Sequence, residues 1–227
     1  MPNARRMLGR LWRRRPKAVD MHEAYVRWAP VYPARPHNRL MEIESTVVEP
    51  LVRSVAARRA LDVGTGTGRN LATLSAAGVP CIVGLDLSES MLREAKTMVP
   101  RVRGDAQALP FADGAFDLVT SSLMCGDVPD LGAWLGEAAR VLRPGGQLVY
   151  SDFHSSWTTA GWTRTFEGDD GHSYELPFHA HTTDEHLAFL RTHGMVVRQT
   201  LEPMAPERPT PVVLVIHAIK PDVVAEA

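Results

Sequence analysis

Cysteine is scarce in this sequence. The 227 residues contain two, Cys81 and Cys125, which is too few for a disulfide framework or a four-cysteine metal site. Long apolar runs are also missing, since no stretch approaches the roughly 20 residues that a membrane-spanning helix needs. Neither sign of charge is in excess: the net charge is −1, so no overall field draws the chain to nucleic acid or to a membrane surface. These absences are typical of a cytoplasmic protein with reduced thiols.

What the sequence does contain is an alternation of apolar strands and amphipathic helices. Strand patterns end near Val63, Asp86, Arg103, Ser121 and Ser151, and helical patterns lie between most of them. Such an alternation predicts an α/β fold with a mostly parallel sheet and helices on both faces. Hydrophobic residues make up 44% of the chain. We therefore expect residues 1–227 to form a single domain with one sizeable core.

A glycine-rich turn follows the first of these strands. Residues 62–68 read D-V-G-T-G-T-G, between an apolar run and a segment with helical spacing. This order predicts a strand, a tight turn and a helix. Glycines let a ligand approach bare main chain, and the first turn of a helix presents free N–H groups to an anionic group.

A carboxylate at the end of the second strand adds to this pattern. Asp86 follows the last glycine of the turn by about 20 positions, which is where a nucleoside ribose presents its hydroxyls in such folds. A dinucleotide site would require a small residue three positions after the second glycine. That position is Arg69, and Gly68 comes one residue early. The spacing therefore counts against an NAD site.

At these residues the sequence resembles the class I S-adenosylmethionine (SAM)-dependent methyltransferases, whose D-x-G-x-G-x-G loop is matched by residues 62–68. Three further segments resemble that family in the same order, namely 104–106, 109–119 and 141–149. The similarity is greatest to small-molecule enzymes such as those of quinone and biotin biosynthesis. It implies a Rossmann-like, doubly wound, seven-stranded sheet with an antiparallel last strand, an N-terminal cap segment and an insertion after strand five.

By this resemblance the single domain divides into four regions. These are an N-terminal cap with helices (1–57), a SAM-binding core (58–151), an insertion that roofs the substrate (152–181), and the last helix and strands (182–220). The insertion is rich in aromatic residues, and Gly168–Gly171 within it has the composition of a hairpin turn.

The resemblance also implies which residues bind SAM. Asp62 and the glycine backbone would hold the methionine end, Asp86 would accept from both ribose hydroxyls, and Asp105 would accept from the adenine amino group. The expected set is Asp62, Gly64, Thr65, Gly66, Gly68, Asp86, Leu87, Met91, Gly104, Asp105, Ala106, Ser122 and Tyr32. Leu87 and Met91 would sandwich the adenine or belong to the core. Tyr32, together with Tyr25, would cover the methionine end or dock the cap on the core.

Histidines supply the candidate catalytic groups. Methyl transfer needs orientation above all, and a general base matters only where the attacking atom must lose a proton. His154, just past the fifth strand, and His181, at the end of the insertion with His179, are the candidates; a structural role is the alternative. Together with His172 and His186, these histidines also suggest a metal site. The H-x-H pair without cysteine is weak evidence, so we expect no metal.

The expected activity is methyl transfer from SAM to an oxygen, nitrogen or carbon atom of a small-molecule metabolite. The alternatives are a SAM-binding protein that does not methylate and an NAD-dependent oxidoreductase on a similar sheet. The family tetrapeptide Asn/Asp-Pro-Pro-aromatic is missing after strand four, which argues with the net charge against DNA. The basic stretch from Arg5 to Lys17 predicts a solvated terminus and leaves RNA as a minor option. The sequence leaves the oligomeric state open.

Overall fold

A seven-stranded sheet forms the centre of the protein. The computed structural model describes residues 15–159 and 161–222, so most of the basic N-terminal stretch lies outside the described residues. The strands are β1 Lys17–Ala18, β2 Arg59–Val63, β3 Cys81–Asp86, β4 Arg101–Arg103, β5 Phe116–Ser122, β6 Leu142–Phe153, β7 Arg164–Glu167, β8 Ser173–Leu176, β9 Val196–Leu201 and β10 Val213–Ile219. The order in the large sheet is β4-β3-β2-β5-β6-β10-β9. Strand β10 is antiparallel to both neighbours, and the other pairings are parallel. The predicted fold class is confirmed.

Helices cover both faces of this sheet. They are α1 Met21–Trp28, α2 Arg39–Ser54, α3 Arg69–Ala76, α4 Glu89–Glu94, α5 Leu131–Val141, α6 Ser156–Thr159 and α7 Thr183–Thr192. Alternate residues of one strand enter different cores: Leu118 packs with α2 and α3, whereas Val119 packs with α5 and α7. This alternation follows from the period of two along a strand. Within the described ranges, no helix is both long enough and apolar enough to cross a membrane.

Side-chain caps fix where most of these helices begin. Asp20, Asn38, Ser88, Asp130 and Thr182 each accept a hydrogen bond from the backbone N–H three residues later. Such caps satisfy donors that the first turn leaves free.

Backbone geometry fixes the limits of three helices. Helix α7 begins at Thr183, because Thr182 is its cap, and it ends at Thr192. Helix α4 ends at Glu94, because the backbone of Ala95 is already extended. Helix α2 ends at Ser54, where Val55 is likewise extended.

A second, small sheet lies in the N-terminal cap and the insertion. The predicted hairpin forms from β7 and β8, which pair antiparallel. Strand β1 adds to β8 in parallel, a pairing that the sequence did not predict. This sheet has its own small core with α1, in which Ala24, Phe166, Tyr174 and Leu176 are buried. The cap and the hairpin are therefore joined to each other as well as to the large sheet.

A buried polar network attaches α7 to β6. The His186 ring lies 3.0 Å through Nδ1 from the Tyr150 hydroxyl and 3.3 Å through Nε2 from Asp152 Oδ2. All three side chains are buried. Burial holds the pKa of Tyr150 well above its usual range, so the phenol keeps its proton and donates to Nδ1. With a proton on Nε2, the ring accepts from Tyr150 and donates to Asp152, so both neighbours have a partner.

We expect His186→Leu to lower the free energy of unfolding by more than about 2 kcal/mol, because two buried polar groups lose their partner at about 1–3 kcal/mol each. Urea denaturation measures this loss. His179→Leu is the matched control, since His179 is exposed. Equal losses in the two variants would show that the network does not stabilise the fold.

Candidate active site

A cavity of about 700 Å³ opens at the carboxyl ends of the parallel strands. The glycine turn and the ends of β3, β4 and β5 form one side of it, and α1, the start of α2 and the insertion form the other. In parallel α/β sheets this edge is where ligands bind. The parallel register brings Val63 beside Leu85, and Asp86 beside Arg103. Motifs that are far apart in the sequence therefore meet at one edge.

The glycine turn is a tight loop with left-handed backbone angles. The φ angles are +69° at Gly64, +54° at Gly66 and +94° at Gly68, where α3 begins. The Thr65 amide donates to the Leu85 carbonyl at 3.0 Å, which ties the loop to β3. A Cβ at Gly66 would meet no atom within 4 Å. The main chain there is thus open to a ligand.

Asp86 connects the glycine turn to the end of β3. Its Oδ2 accepts from the Gly66 amide at 2.7 Å, and its Oδ1 accepts from the Ser88 amide at 2.8 Å. Burial raises the pKa of Asp86 to about 6, although the two amides favour the charged form. Each carboxylate oxygen retains a further acceptor site. The carboxylate is therefore held in place and can still accept from hydroxyl donors.

Asp62 is buried beneath the glycine turn. Its Oδ1 accepts from the Asn70 side chain at 3.0 Å and from the Thr120 hydroxyl at 2.8 Å. Its Oδ2 is buried and has no hydrogen-bond partner among the described residues. Burial raises the pKa of this carboxyl. Asn70 also donates to the Ser122 hydroxyl at 2.9 Å, and it lines the cavity although the sequence analysis did not single it out.

The residues expected around the adenine lie beside Asp86. The Gly104 amide donates to the Asp86 carbonyl at 3.0 Å, which places Asp105 and Ala106 at the same edge. Asp105 is exposed and accepts from the Gln107 amide at 2.8 Å. Leu87 is 60% exposed at the rim of the cavity, whereas Met91 is buried. All of them line the cavity, as do Thr65, Ser122 and Tyr32.

The two candidate bases are not among the cavity-lining residues. His154 Nε2 lies 3.4 Å from Glu202, and its Nδ1 accepts from the Ser156 amide. His181 Nε2 contacts the Val128 carbonyl at 3.0 Å. The geometry therefore gives the expected role of either ring no support. No group of three metal-binding side chains occurs in the part of the chain that the structure describes.

The sequence analysis named Tyr25 in the cap but missed a polar cluster through which that residue joins the two sides of the cavity. Tyr25 from α1 donates to Asp127, Asp127 forms an ion pair with Arg164 of β7, and Arg164 donates to the Tyr25 hydroxyl at 2.9 Å. All three line the cavity. We call them the Tyr25–Asp127–Arg164 cluster. No motif marks these residues, which come from three separate parts of the chain.

A second missed contact joins α2 to the glycine turn. Glu44 is fully buried, and its carboxylate accepts from Arg69 at 2.6 Å and from the Ser151 hydroxyl at 2.8 Å. Arg69 thus pairs with α2 at the position where a dinucleotide fold would carry a small residue. This ion pair fixes the start of α3 against the helix that borders the cavity.

Comparing Gly64→Ala with Gly66→Ala separates the cost of close packing from the cost of backbone strain in the free energy of unfolding. A left-handed angle costs a non-glycine residue about 1–2 kcal/mol, and both variants meet that cost. A Cβ at position 64 would also lie 2.5 Å from Met124 Cγ, and overpacking adds about 1–3 kcal/mol. We therefore expect Gly64→Ala to lose more stability than Gly66→Ala in urea denaturation; the reverse order would contradict the packing described here.

Comparison with known proteins agrees with this geometry. A family model described as a methyltransferase domain matches residues 61–150. The demethylmenaquinone methyltransferase of Mycolicibacterium gilvum is 45% identical over 98 residues, which are 43% of this chain and 42% of that protein. That of Renibacterium salmoninarum is 41% identical over 122 residues, or 52% and 50% of the two chains. The chain thus spans half or less of the length of these curated relatives.

Solved structures share the fold over a larger part of the chain. A SAM-dependent methyltransferase from Mesorhizobium loti aligns with a TM-score of 0.62 and 24% identity, over 75% of this chain and 96% of that one. One from Clostridium acetobutylicum aligns with a TM-score of 0.62 and 14% identity, over 78% and 90%. Residues 61–150 thus match the methyltransferase-domain family, and the chain shares its fold with these SAM-dependent methyltransferases.

Proposed function

We propose that the protein transfers a methyl group from SAM to an oxygen, nitrogen or carbon atom of a small, apolar or aromatic metabolite. The observation that carries the proposal is the Asp86 carboxylate, held by the Gly66 and Ser88 amides at the rim of the cavity that Asp105 also lines. Two separated carboxylates beside a bare glycine backbone suit a ligand with a ribose diol and an adenine. The family match supports the cofactor.

The residues at the site fit SAM group by group. The open main chain at Gly66 can lie against the methionine end, and the unpartnered Oδ2 of Asp62 suits an ammonium donor. Asp86 would accept from the ribose hydroxyls and Asp105 from the adenine amino group. Leu87 and Met91 would flank the adenine, and Tyr32 would cover the methionine end.

Catalysis by this chain would consist mainly of orientation and exclusion of water. The sulfonium of bound SAM supplies an activated methyl group that needs no further activation. The cap and the insertion enclose the cavity, and correct orientation alone can contribute about 7–11 kcal/mol. Because neither His154 nor His181 lines the cavity, we do not assign a base to either ring.

The lining of the cavity supports a small aromatic or apolar acceptor. Its tyrosine, tryptophan and phenylalanine residues are Tyr25, Trp28, Tyr32, Phe153, Trp157 and Trp162. The curated relatives are named for demethylmenaquinone, a small molecule, which favours the same class. The net charge of −1 offers no attraction to nucleic acid. Free Cys81 and Cys125 are compatible with the proposed cytoplasmic location.

The decisive experiment is calorimetric titration with SAM and with its demethylated product, S-adenosylhomocysteine. We expect both to bind, and Asp86→Ala to weaken each at least about tenfold, since a hydrogen bond to a charged group contributes about 1.5–3 kcal/mol. Asp169→Ala is the matched control, because Asp169 is exposed in the hairpin turn. No binding to the wild type, or undiminished binding to Asp86→Ala, would remove the proposal.

The pH dependence of binding provides a further test. The folded-state pKa of Asp86, about 6, lies above its ordinary value. Its contribution to stability is therefore present at low pH and is lost as the pH rises through 6. The affinity for the ligand changes with pH in the opposite direction. It rises with pH because the ionised carboxylate is the better acceptor for ribose hydroxyls. We expect S-adenosylhomocysteine to bind about tenfold more weakly near pH 5 than near pH 7.5, and Asp86→Asn to remove most of that step.

The competing functions predict different results. An NAD-dependent oxidoreductase would bind NADH and leave SAM unbound, and Arg69 already occupies the position where such a site needs a small residue. A SAM-binding protein that does not methylate would bind SAM, but it would transfer no radioactive methyl group from SAM to any compound of an organic-solvent extract. Transfer of the label to an extracted compound favours the methyltransferase.

A further inference from the structure

We infer that the Tyr25–Asp127–Arg164 cluster is the polar subsite for the methyl acceptor, and that it selects an uncharged aromatic compound with a hydroxyl or carbonyl oxygen. The inference rests on the proposed function, because it concerns the same cavity. It begins from the position of the cluster. Asp127 follows β5, and the other two members come from the cap and the insertion.

The cluster is buried but retains free hydrogen-bonding capacity. Arg164 is 8% exposed. A guanidinium has five N–H donors, and two of them bond within the cluster, to Asp127 and to Tyr25. Arg164 Nε has no hydrogen-bond partner among the described residues. Each Asp127 oxygen can accept a further bond. The cluster therefore has one donor without a partner in the described part of the chain, and its carboxylate oxygens retain capacity to accept.

The charges of the cluster compensate each other. Burial disfavours the charged forms of both groups, yet Asp127 raises the pKa of Arg164 and Arg164 opposes the rise in the pKa of Asp127. Burial also keeps Tyr25 protonated by raising its pKa well above the usual range. The cluster as a whole is neutral. Beside the cluster, a carboxylate or an ammonium on the acceptor would have no compensating charge, which is unfavourable.

Aromatic rings surround the guanidinium. Its central carbon lies 5.7 Å from the ring centre of Trp28 and 5.3 Å from that of Phe153. Trp162 stands 5.3 Å from Phe153, centre to centre. These rings hold Arg164 in one orientation and provide faces against which a flat ring can pack. An acceptor with an aromatic frame and one neutral oxygen matches both the rings and the polar cluster.

If the cluster served only to attach the cap to the large sheet, ligand binding would not depend on the charge of the ligand. The test therefore measures selectivity, by calorimetry in the presence of saturating S-adenosylhomocysteine. The probes are 2-naphthol, 2-naphthoate and 2-(aminomethyl)naphthalene, which present a neutral hydroxyl, an anion and a cation on one frame. For the wild type we expect 2-naphthol to bind at least about tenfold more tightly than either charged probe.

Two variants change the charge of the subsite in opposite directions. Asp127→Asn leaves the Arg164 charge uncompensated, so the preference should shift at least about tenfold toward 2-naphthoate. Arg164→Met leaves Asp127 alone and should shift the preference toward the ammonium probe. The matched controls Asp169→Asn and Arg93→Met lie at exposed positions and should leave the wild-type order unchanged. Binding of S-adenosylhomocysteine to each variant shows that its cofactor site is folded.

Each outcome decides the inference. Equal binding of the three probes to the wild type, or binding of none, overturns it. Unchanged selectivity in both variants also overturns it and leaves the cluster as a structural tie. If a variant does not fold, the wild-type series still decides. Failure of the wild type to bind S-adenosylhomocysteine refutes the proposed function instead, so the two failures are distinguishable.

Discussion

The contact between the Asp86 carboxylate and the Gly66 amide is the interaction on which the site depends. It joins the end of β3 to the glycine turn that follows β2, and a second bond to Ser88 holds the same carboxylate at the start of α4. The contact forms only because β2 and β3 pair in parallel, with Asp62 opposite Gly84 and Val63 opposite Leu85. The register of β2 and β3 thus positions both the Asp86 carboxylate and the exposed backbone of Gly66.

Different interactions hold the opposite wall of the cavity, which is formed by the cap and the insertion. The cap and the hairpin share a small sheet and a small core of their own. Among the described residues, the Asp127–Arg164 ion pair and the Glu44–Arg69 ion pair connect this side to the large sheet. Buried ion pairs contribute little net stability, but they cost much when one partner is lost. They are therefore better suited to fixing one arrangement of the wall than to holding the fold together.

Much of the fold was predictable because its signals are local. The limits of α5 and the end of β3 follow from apolar periodicity and capping residues, and the glycine turn follows from backbone conformation alone. The Tyr25–Asp127–Arg164 cluster was not predictable, since Asp127 and Arg164 lie 102 and 139 positions from Tyr25 along the chain. Strand β1 has two residues, too few for any periodicity. His154 and His181 were chosen by position in the chain, whereas tertiary packing decides where a ring points.

The two walls also differ in the chemical groups that they present. The glycine turn, Asp86 and Asp105 present backbone and carboxylates, which suit the constant groups of a cofactor. The other wall presents rings, and the neutral polar cluster joins it to the end of β5. Because Arg164 and Asp127 neutralise each other, a change at either one alters the charge of the cavity. Under the proposed function this cluster would set the choice of acceptor, whereas the glycine turn and Asp86 would bind the cofactor, so that different residues would serve the two tasks on one fold.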